Sequence, residues 1–141
     1  MSAEQNKAIV QRYHDELFNK GNLAVADEVF DPNYLNSAFG KLGLPRGPEG
    51  FKQYVSMMRT AFPDLHCTID DIFAVEDKVT TRFTFTGTFK GEMMGITPTG
   101  KKFAIMGIII VRWVDGKEVE AWESMDTLAF YQQLGITPPA Q

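Results

Sequence analysis

The chain has 141 residues, 44% hydrophobic and 23% charged, which suits one globular domain with its own core. Its net charge of -4 and scattered basic residues argue against nucleic-acid binding, and no apolar stretch is long enough to cross a membrane. With Cys67 as the only cysteine an internal disulfide is excluded, and without a signal-peptide pattern we expect a cytoplasmic protein.

The first half of the chain is predicted to be mainly helical. Ser2 and Gln5 have the spacing of a capping box, which opens a helix ending near Asn19. A short helix over residues 22–30 and a short strand over residues 34–39 follow, then a loop rich in glycine and proline. Pro48 suits the first position of a third helix, which Pro63 closes.

From residue 65 onward the apolar period changes from helical to alternating, which predicts four consecutive strands and a final short helix over 128–134. Strands gathered after helices indicate an α+β fold, with a curved mixed or antiparallel sheet and helices over its concave face. Such a cone would enclose a pocket. We expect one domain over residues 1–136 and a short C-terminal tail over 137–141.

The last two strands are joined by Asp115-Gly116, a strong signal for a tight hairpin turn. If those residues form the whole loop, counting outward places Ile109 opposite Trp122 and Ile105 opposite Asp126. This register predicts a carboxylate on an apolar strand face.

Several short motifs in their order resemble the SnoaL-like polyketide cyclase family, within the cone-shaped superfamily named for nuclear transport factor two. The resemblance covers nearly the whole chain. The motifs are Phe18-Asn19 with Gly21-Asn22, Gly47 with Phe51, Phe62-Pro63-Asp64, Thr97-Pro98-Thr99-Gly100-Lys101, Arg112 with Asp115-Gly116-Lys117, Glu120, Trp122, Asp126 and Gln133-Leu134-Gly135.

The resemblance implies dimerisation through the sheet, a deep apolar pocket, and catalysis without a metal or cofactor. The family's aspartate at the end of the last strand, the general acid/base of an intramolecular aldol ring closure, maps onto Asp126. Two family histidines are absent here: Ile109 stands at one position and Asn36-Ser37 at the other.

Asp126 is therefore the predicted catalytic residue, since a desolvated carboxyl has a raised pKa and can exchange protons near neutral pH. The alternative is that Asp126 caps the final helix. The residues alone leave both interpretations open, and the resemblance favours catalysis.

The predicted substrate-binding residues lie on strands of the sheet, on helices that face the sheet, or in a loop beside it. Trp122 could pack in the core or form a pocket wall, and His14 could be a satisfied, half-buried histidine or face the pocket. A loop containing Met94 could cover the pocket or pack on the sheet. The full predicted set is Trp122, Asn36, His14, Ile105, Ile109, Met94, Phe89 and Tyr54.

The sequence thus predicts a cofactor-free cyclase, lyase or isomerase that acts on a small apolar carbonyl compound, with no metal site. We expect a homodimer with no nucleic-acid or membrane partner. The alternative function is a non-catalytic small-molecule-binding or dimerisation module of the same fold.

Overall fold

The structure, a computed structural model, describes residues 2–138 of the chain. Residues 139–141 of the predicted tail lie outside this range, and the division between domain and tail stays a prediction. Four helices and five strands follow one another in the predicted order: α1 Ala3–His14, α2 Val25–Val29, β1 Phe30–Asn36, α3 Pro48–Ala61, β2 His66–Val75, β3 Lys78–Thr88, β4 Lys102–Val114, β5 Lys117–Met125 and α4 Thr127–Leu134.

The five strands form one mixed sheet in the order β1-β5-β4-β3-β2. β1 runs parallel to β5, and the other neighbours are antiparallel. Helices pack on one face of the sheet, which we call the inner face, and the opposite face is the outer face. The predicted α+β fold with a mixed sheet is confirmed.

The helix boundaries follow from local chemistry. The Ser2 hydroxyl accepts a hydrogen bond from the Gln5 backbone N–H, and the Gln5 side chain accepts one from the Ser2 N–H, which confirms the capping box. α1 continues into a π-helical turn over Asp15–Asn19. Pro48 is the first residue of α3, where a missing N–H leaves no hydrogen bond unmade.

The first strand differs from the prediction. It spans Phe30–Asn36 instead of residues 34–39, so Pro32 lies within it. β1 is an edge strand whose pairing with β5 is irregular between Phe30 and Leu35, and an edge position tolerates a proline without a backbone donor.

The core lies between the helices and the inner face, and aromatic rings fill much of it. The rings of Phe30 and Phe51 stack with centroids 4.5 Å apart, and Phe18 meets Phe85 edge-on at 4.9 Å. α4 closes one end of this core, where Phe130 lies 4.9 Å from Phe103.

Candidate functional site

A β-bulge in the last hairpin decides which side chains face the interior. Val114 pairs with Lys117 across the Asp115-Gly116 turn, as predicted. Beyond that pair, Trp113 lies opposite Glu118 and Arg112 lies opposite Glu120, so Val119 is an extra residue in β5. One extra residue reverses the face of every side chain after it.

The predicted register is therefore wrong beyond the pair of Trp113 and Glu118. Trp122 pairs with Ile110, and Ile109 pairs with Glu123. Trp122 lies on the outer face with 41% of its surface exposed, so the side chain does not form part of the interior.

Asp126 does not lie opposite Ile105, and its backbone N–H instead donates to the Met106 carbonyl oxygen. Its side chain is exposed and caps α4, with Oδ1 accepting a hydrogen bond from the Ala129 N–H at 3.2 Å. The geometric premise for a desolvated Asp126 carboxyl is thus wrong. No observation tests its catalytic role, which stays a prediction.

The bulge turns Glu123 toward the inner face. Glu123 lies between Ala121 and Met125, and its backbone N–H donates to the Ser37 hydroxyl at 3.0 Å. Burial raises the pKa of the Glu123 carboxyl to about 7, an effect that the neighbouring Asn36 amide partly offsets. A carboxyl of this kind is present in both protonation states near neutral pH.

A second carboxyl, that of Glu118, is completely buried at the bulge. The Tyr13 hydroxyl donates a hydrogen bond to Glu118 Oε1 at 2.8 Å. Burial raises the pKa of Glu118 to about 8, the Tyr13 and Tyr34 hydroxyls lower it, and the charge of Glu123 raises it further. One strand thus carries two carboxyls whose pKa values burial raises.

The buried side chain of Asn36 makes two hydrogen bonds on β1 and at its end. Its Nδ2 donates to the Tyr34 hydroxyl at 3.1 Å, and its Oδ1 accepts from the Ala38 N–H at 2.9 Å. The bond to Ala38 fixes which end of the amide carries the donors. One of those donors therefore points to the Tyr34 hydroxyl.

His14 and Cys67 are buried beside this cluster. His14 Nδ1 lies 3.6 Å from Cys67 Sγ, and the His14 ring stacks on Tyr13 with centroids 4.9 Å apart. Burial lowers the pKa of His14 to about 4 and raises that of Cys67 to about 12. At neutral pH the pair is a neutral imidazole and a protonated, unreactive thiol.

The other predicted pocket residues divide by position. Ile105, Ile109, Phe89 and Tyr54 are buried, whereas Met94 is exposed in its loop. Ile109 lies opposite Glu123, and Tyr54 is near enough for the charge of Glu123 to raise its pKa after the effect of burial. The structure thus brings together Asn36, Tyr54 and Ile109 around Glu123, while Met94, Trp122 and Asp126 lie outside this group.

Two surface grooves lie away from Glu123. One is lined by residues of β3, β4, α4 and the loop after α3, including Thr88, Gln133 and Asp64. The other follows the free edge of β2 and is lined by residues that include His14 and Cys67. Within residues 2–138, no group of three or more His, Cys, Asp or Glu side chains is arranged to hold a metal ion, and no helix is long and apolar enough to span a membrane.

Sequence reasoning missed the carboxyls of Glu118 and Glu123 on the inner face, although one signal indicated the bulge that turns Glu123 inward. Arg112 Nη2 lies 3.2 Å from Glu120 Oε1 on the outer face, and this ion pair requires the two residues to be cross-strand neighbours. Without a bulge, Arg112 would lie opposite Val119. A search for opposite charges on adjacent strands would have indicated the shift.

Comparisons with known proteins agree with this architecture. A family model described as SnoaL-like polyketide cyclase matches residues 8–134. The chain is 29% identical to nogalonic acid methyl ester cyclase of Streptomyces nogalater over 84% of this chain and 89% of that protein. It is 30% identical to the aklanonic acid methyl ester cyclase AcmA of Streptomyces galilaeus, covering 85% of this chain and 84% of the relative. The solved structure of TsrD from Streptomyces laurentii superposes with a TM-score of 0.81 at 30% identity, over 93% of this chain and 98% of TsrD.

Proposed function

The chain belongs to the SnoaL-like polyketide cyclase family, and we propose that it closes a ring in a small, largely apolar carbonyl compound with Glu123 as general acid/base. The reaction is an intramolecular aldol addition. Glu123 removes a proton from a carbon beside a carbonyl group, and that carbon forms a bond to a second carbonyl carbon. The proton then returns to the resulting alkoxide, so no atom is gained or lost.

The placement of Glu123 on the inner face of the sheet, opposite the buried Ile109, carries this proposal. A general acid/base works best when its pKa lies near the working pH, and burial places the pKa of Glu123 at about 7. Its position on the inner face beside Asn36 provides an amide donor near the reacting oxygen, and Ile109 provides an apolar wall.

The named activities of the relatives suggest the kind of substrate. Two of them are named as methyl ester cyclases, and an ester carbonyl acidifies the C–H group beside it. We therefore propose an ester-bearing carbonyl compound as the substrate. Asn36, Tyr54, His14 and Ile109 would contact it, while the binding roles predicted for Ile105, Phe89, Met94 and Trp122 stay untested predictions.

The proposal is tested by turnover of nogalonic acid methyl ester and aklanonic acid methyl ester, the compounds named for the relatives. Glu123→Gln keeps the shape of the side chain and removes proton exchange, so we expect kcat to fall by roughly 10²- to 10⁴-fold. Asp126→Asn is the matched comparison, because its exposed carboxyl holds only the end of α4. We expect it to keep kcat within about threefold of wild type.

Two outcomes would change the assignment. A fall in kcat confined to Asp126→Asn would return the acid/base role to Asp126, as the sequence predicts. Equal turnover in wild type and both variants would exclude both Glu123 and Asp126 as the general acid/base.

The binding module stays as a second candidate because the interior is filled by the chain's own aromatic side chains. Phe18 and Phe51 lie 5.6 Å apart, Phe83 and Phe85 lie 5.1 Å apart, and Glu123 lines neither groove. A methyl ester that raises the melting temperature but is recovered unchanged after prolonged incubation would favour this candidate.

A further inference from the structure

The main chain of β1 leaves the sheet beside Glu123. β1 ends at Asn36, where the Phe39 N–H donates to the Asn36 carbonyl oxygen at 3.1 Å and the Ala38 N–H donates to Asn36 Oδ1 at 2.9 Å. These two bonds form a turn that takes the chain away from β5. From Glu123 onward, β5 therefore has a neighbouring strand only on its β4 side within residues 2–138.

Ser37 takes the place of the strand neighbour at this point. Its backbone N–H donates to the Ala121 carbonyl oxygen at 2.9 Å, and its hydroxyl accepts a hydrogen bond from the Glu123 N–H at 3.0 Å. In a parallel pair, a residue that donates to a carbonyl oxygen of the partner strand also accepts, at its own carbonyl, from the N–H two residues further along. The Ser37 hydroxyl thus replaces the carbonyl group, and the ladder continues for one more bond after β1 has turned away.

This hydrogen bond holds the backbone of the residue whose carboxyl faces the interior. The direction of a strand side chain is set by the backbone, so a rotation at Glu123 would change where its carboxyl points. The pairing with Ile109 holds the β4 side of Glu123, and the Ser37 hydroxyl holds the opposite side. Because Glu123 is only half-buried, a small movement would expose the carboxyl to water.

We propose that Ser37 is a positioning residue for Glu123: its hydroxyl binds the Glu123 N–H and keeps the carboxyl directed toward the inner face. Ser37 belongs to the Asn36-Ser37 pair that stands in place of a family histidine, so the family motifs do not predict this role. The importance of the bond for catalysis rests on the proposed function of Glu123. The bond itself can be tested without a substrate.

Amide hydrogen exchange, followed by NMR in the full-length protein, tests the bond directly. Ser37→Ala removes the acceptor, so we expect exchange of the Glu123 N–H to become faster by about tenfold or more. Ser37→Thr keeps a hydroxyl and should restore the wild-type exchange rate. Because Ser37 is exposed, both variants should fold.

The pKa of the Glu123 carboxyl is the second measurement, made by carbon NMR titration with Glu123→Gln to assign the signal. A carboxyl that is no longer held inside gains water, which favours its charged form, so its pKa should fall by roughly half to one pH unit in Ser37→Ala. A purely structural role of Ser37 would lower the stability of the fold without changing this pKa. The titratable groups on which the charge of Glu123 acts stay unchanged in these variants, and they are Glu118, Tyr13, Tyr34, Tyr54 and Cys67.

Turnover of the two methyl esters is the third measurement. Misplacing a reacting group slows the chemical step more than it weakens binding, so kcat of Ser37→Ala should fall by roughly 10- to 100-fold while KM stays within about threefold. Ser37→Thr should recover most of the lost kcat. Ser124→Ala is the matched control, because Ser124 follows Glu123 on β5 but is exposed on the outer face, opposite Ile108. It should leave all three measurements at their wild-type values.

Four results would overturn the proposal. They are unchanged exchange and pKa of Glu123 in Ser37→Ala, an equal effect of Ser124→Ala, a loss in Ser37→Ala that Ser37→Thr does not reverse, or an unchanged kcat in Ser37→Ala when Glu123→Gln is inactive. The proposed function fails differently, by persistent turnover in Glu123→Gln, and the exchange and pKa of Glu123 then decide the role of Ser37. The two failures can therefore be told apart.

Discussion

At the scale of single residues, Glu118 should make the stability of the protein depend on pH. Its pKa is about 8 in the folded protein, against an ordinary value of 4.5. The folded state therefore binds more protons than the unfolded state between these values, and the free energy of unfolding falls as pH rises through this range. Above about pH 8 the contribution of the protonated Glu118 carboxyl to the free energy of unfolding is fully lost.

Urea unfolding at pH 6.5 and pH 8.5 measures this effect. Burial lowers the pKa of His14 from 6.5 to about 4, so His14 is neutral in the folded state throughout this window and half protonated in the unfolded state only at its lower end. This contribution is the same in wild type and Glu118→Gln and cancels in their comparison. We expect Glu118 to contribute a loss of about 2 kcal/mol between the two pH values, which Glu118→Gln should remove. The same pH dependence in wild type and Glu118→Gln would show that Glu118 is ionised in the folded protein.

The interior carboxyls also show where sequence reasoning stops at the residue scale. The predicted register of β5 would place Glu120 on the inner face, and the observed register places Glu123 there. The difference is the one extra residue of the bulge. The environment of His14 likewise depends on a contact between distant segments, that of His14 with Cys67. Apolar periodicity does not encode such contacts.

At the scale of elements, the helices and strands were predicted because their signals are local. The capping box, Pro48 and the Asp115-Gly116 turn each act within a few residues of the boundary that they set. The β5 bulge was missed because it satisfies no local propensity. It allows Arg112 to pair with Glu120 outside while Ala121 and Glu123 turn inside.

Gly107 should be essential for packing within this hairpin. A Cβ atom at position 107 would lie 2.6 Å from Phe83 Cζ and 2.8 Å from Met125 Cγ, closer than carbon atoms approach. Gly107→Ala would have to displace both side chains, so we expect a loss of about 1–3 kcal/mol in the free energy of unfolding.

Gly40→Ala is the matched control for Gly107→Ala in urea unfolding at one pH. A Cβ atom at position 40 meets nothing within 4 Å, and the residue does not have a positive φ. The free energy of unfolding of Gly40→Ala should stay within about 0.5 kcal/mol of the wild-type value. If Gly107→Ala were equally mild, the inner face near Glu123 would contain more free space than the packing indicates.

At the scale of the whole molecule, the fold was predictable because the order of elements and the family motifs agree. Residues 103–114 are apolar at nearly every position, a pattern typical of a strand covered on both faces. In the single chain only the inner face is covered, and Met106, Ile108 and Ile110 are 49%, 44% and 37% exposed on the outer face. Trp122 lies beside Ile110 on β5 and extends this apolar strip.

An apolar strip of this kind at the centre of a sheet is typical of a surface that binds another protein. We predict that two copies of the chain associate through it, because a second copy offers the same apolar surface around a two-fold axis.

Sedimentation at micromolar concentration should give about twice 15.9 kDa for wild type. Ile110→Glu places a charge in the contact and should shift the protein to the monomer. Leu128→Glu changes an equally apolar, 60% exposed residue on α4 and should stay dimeric. A wild-type species of 15.9 kDa alone would contradict the prediction and leave the strip as a surface for a different partner.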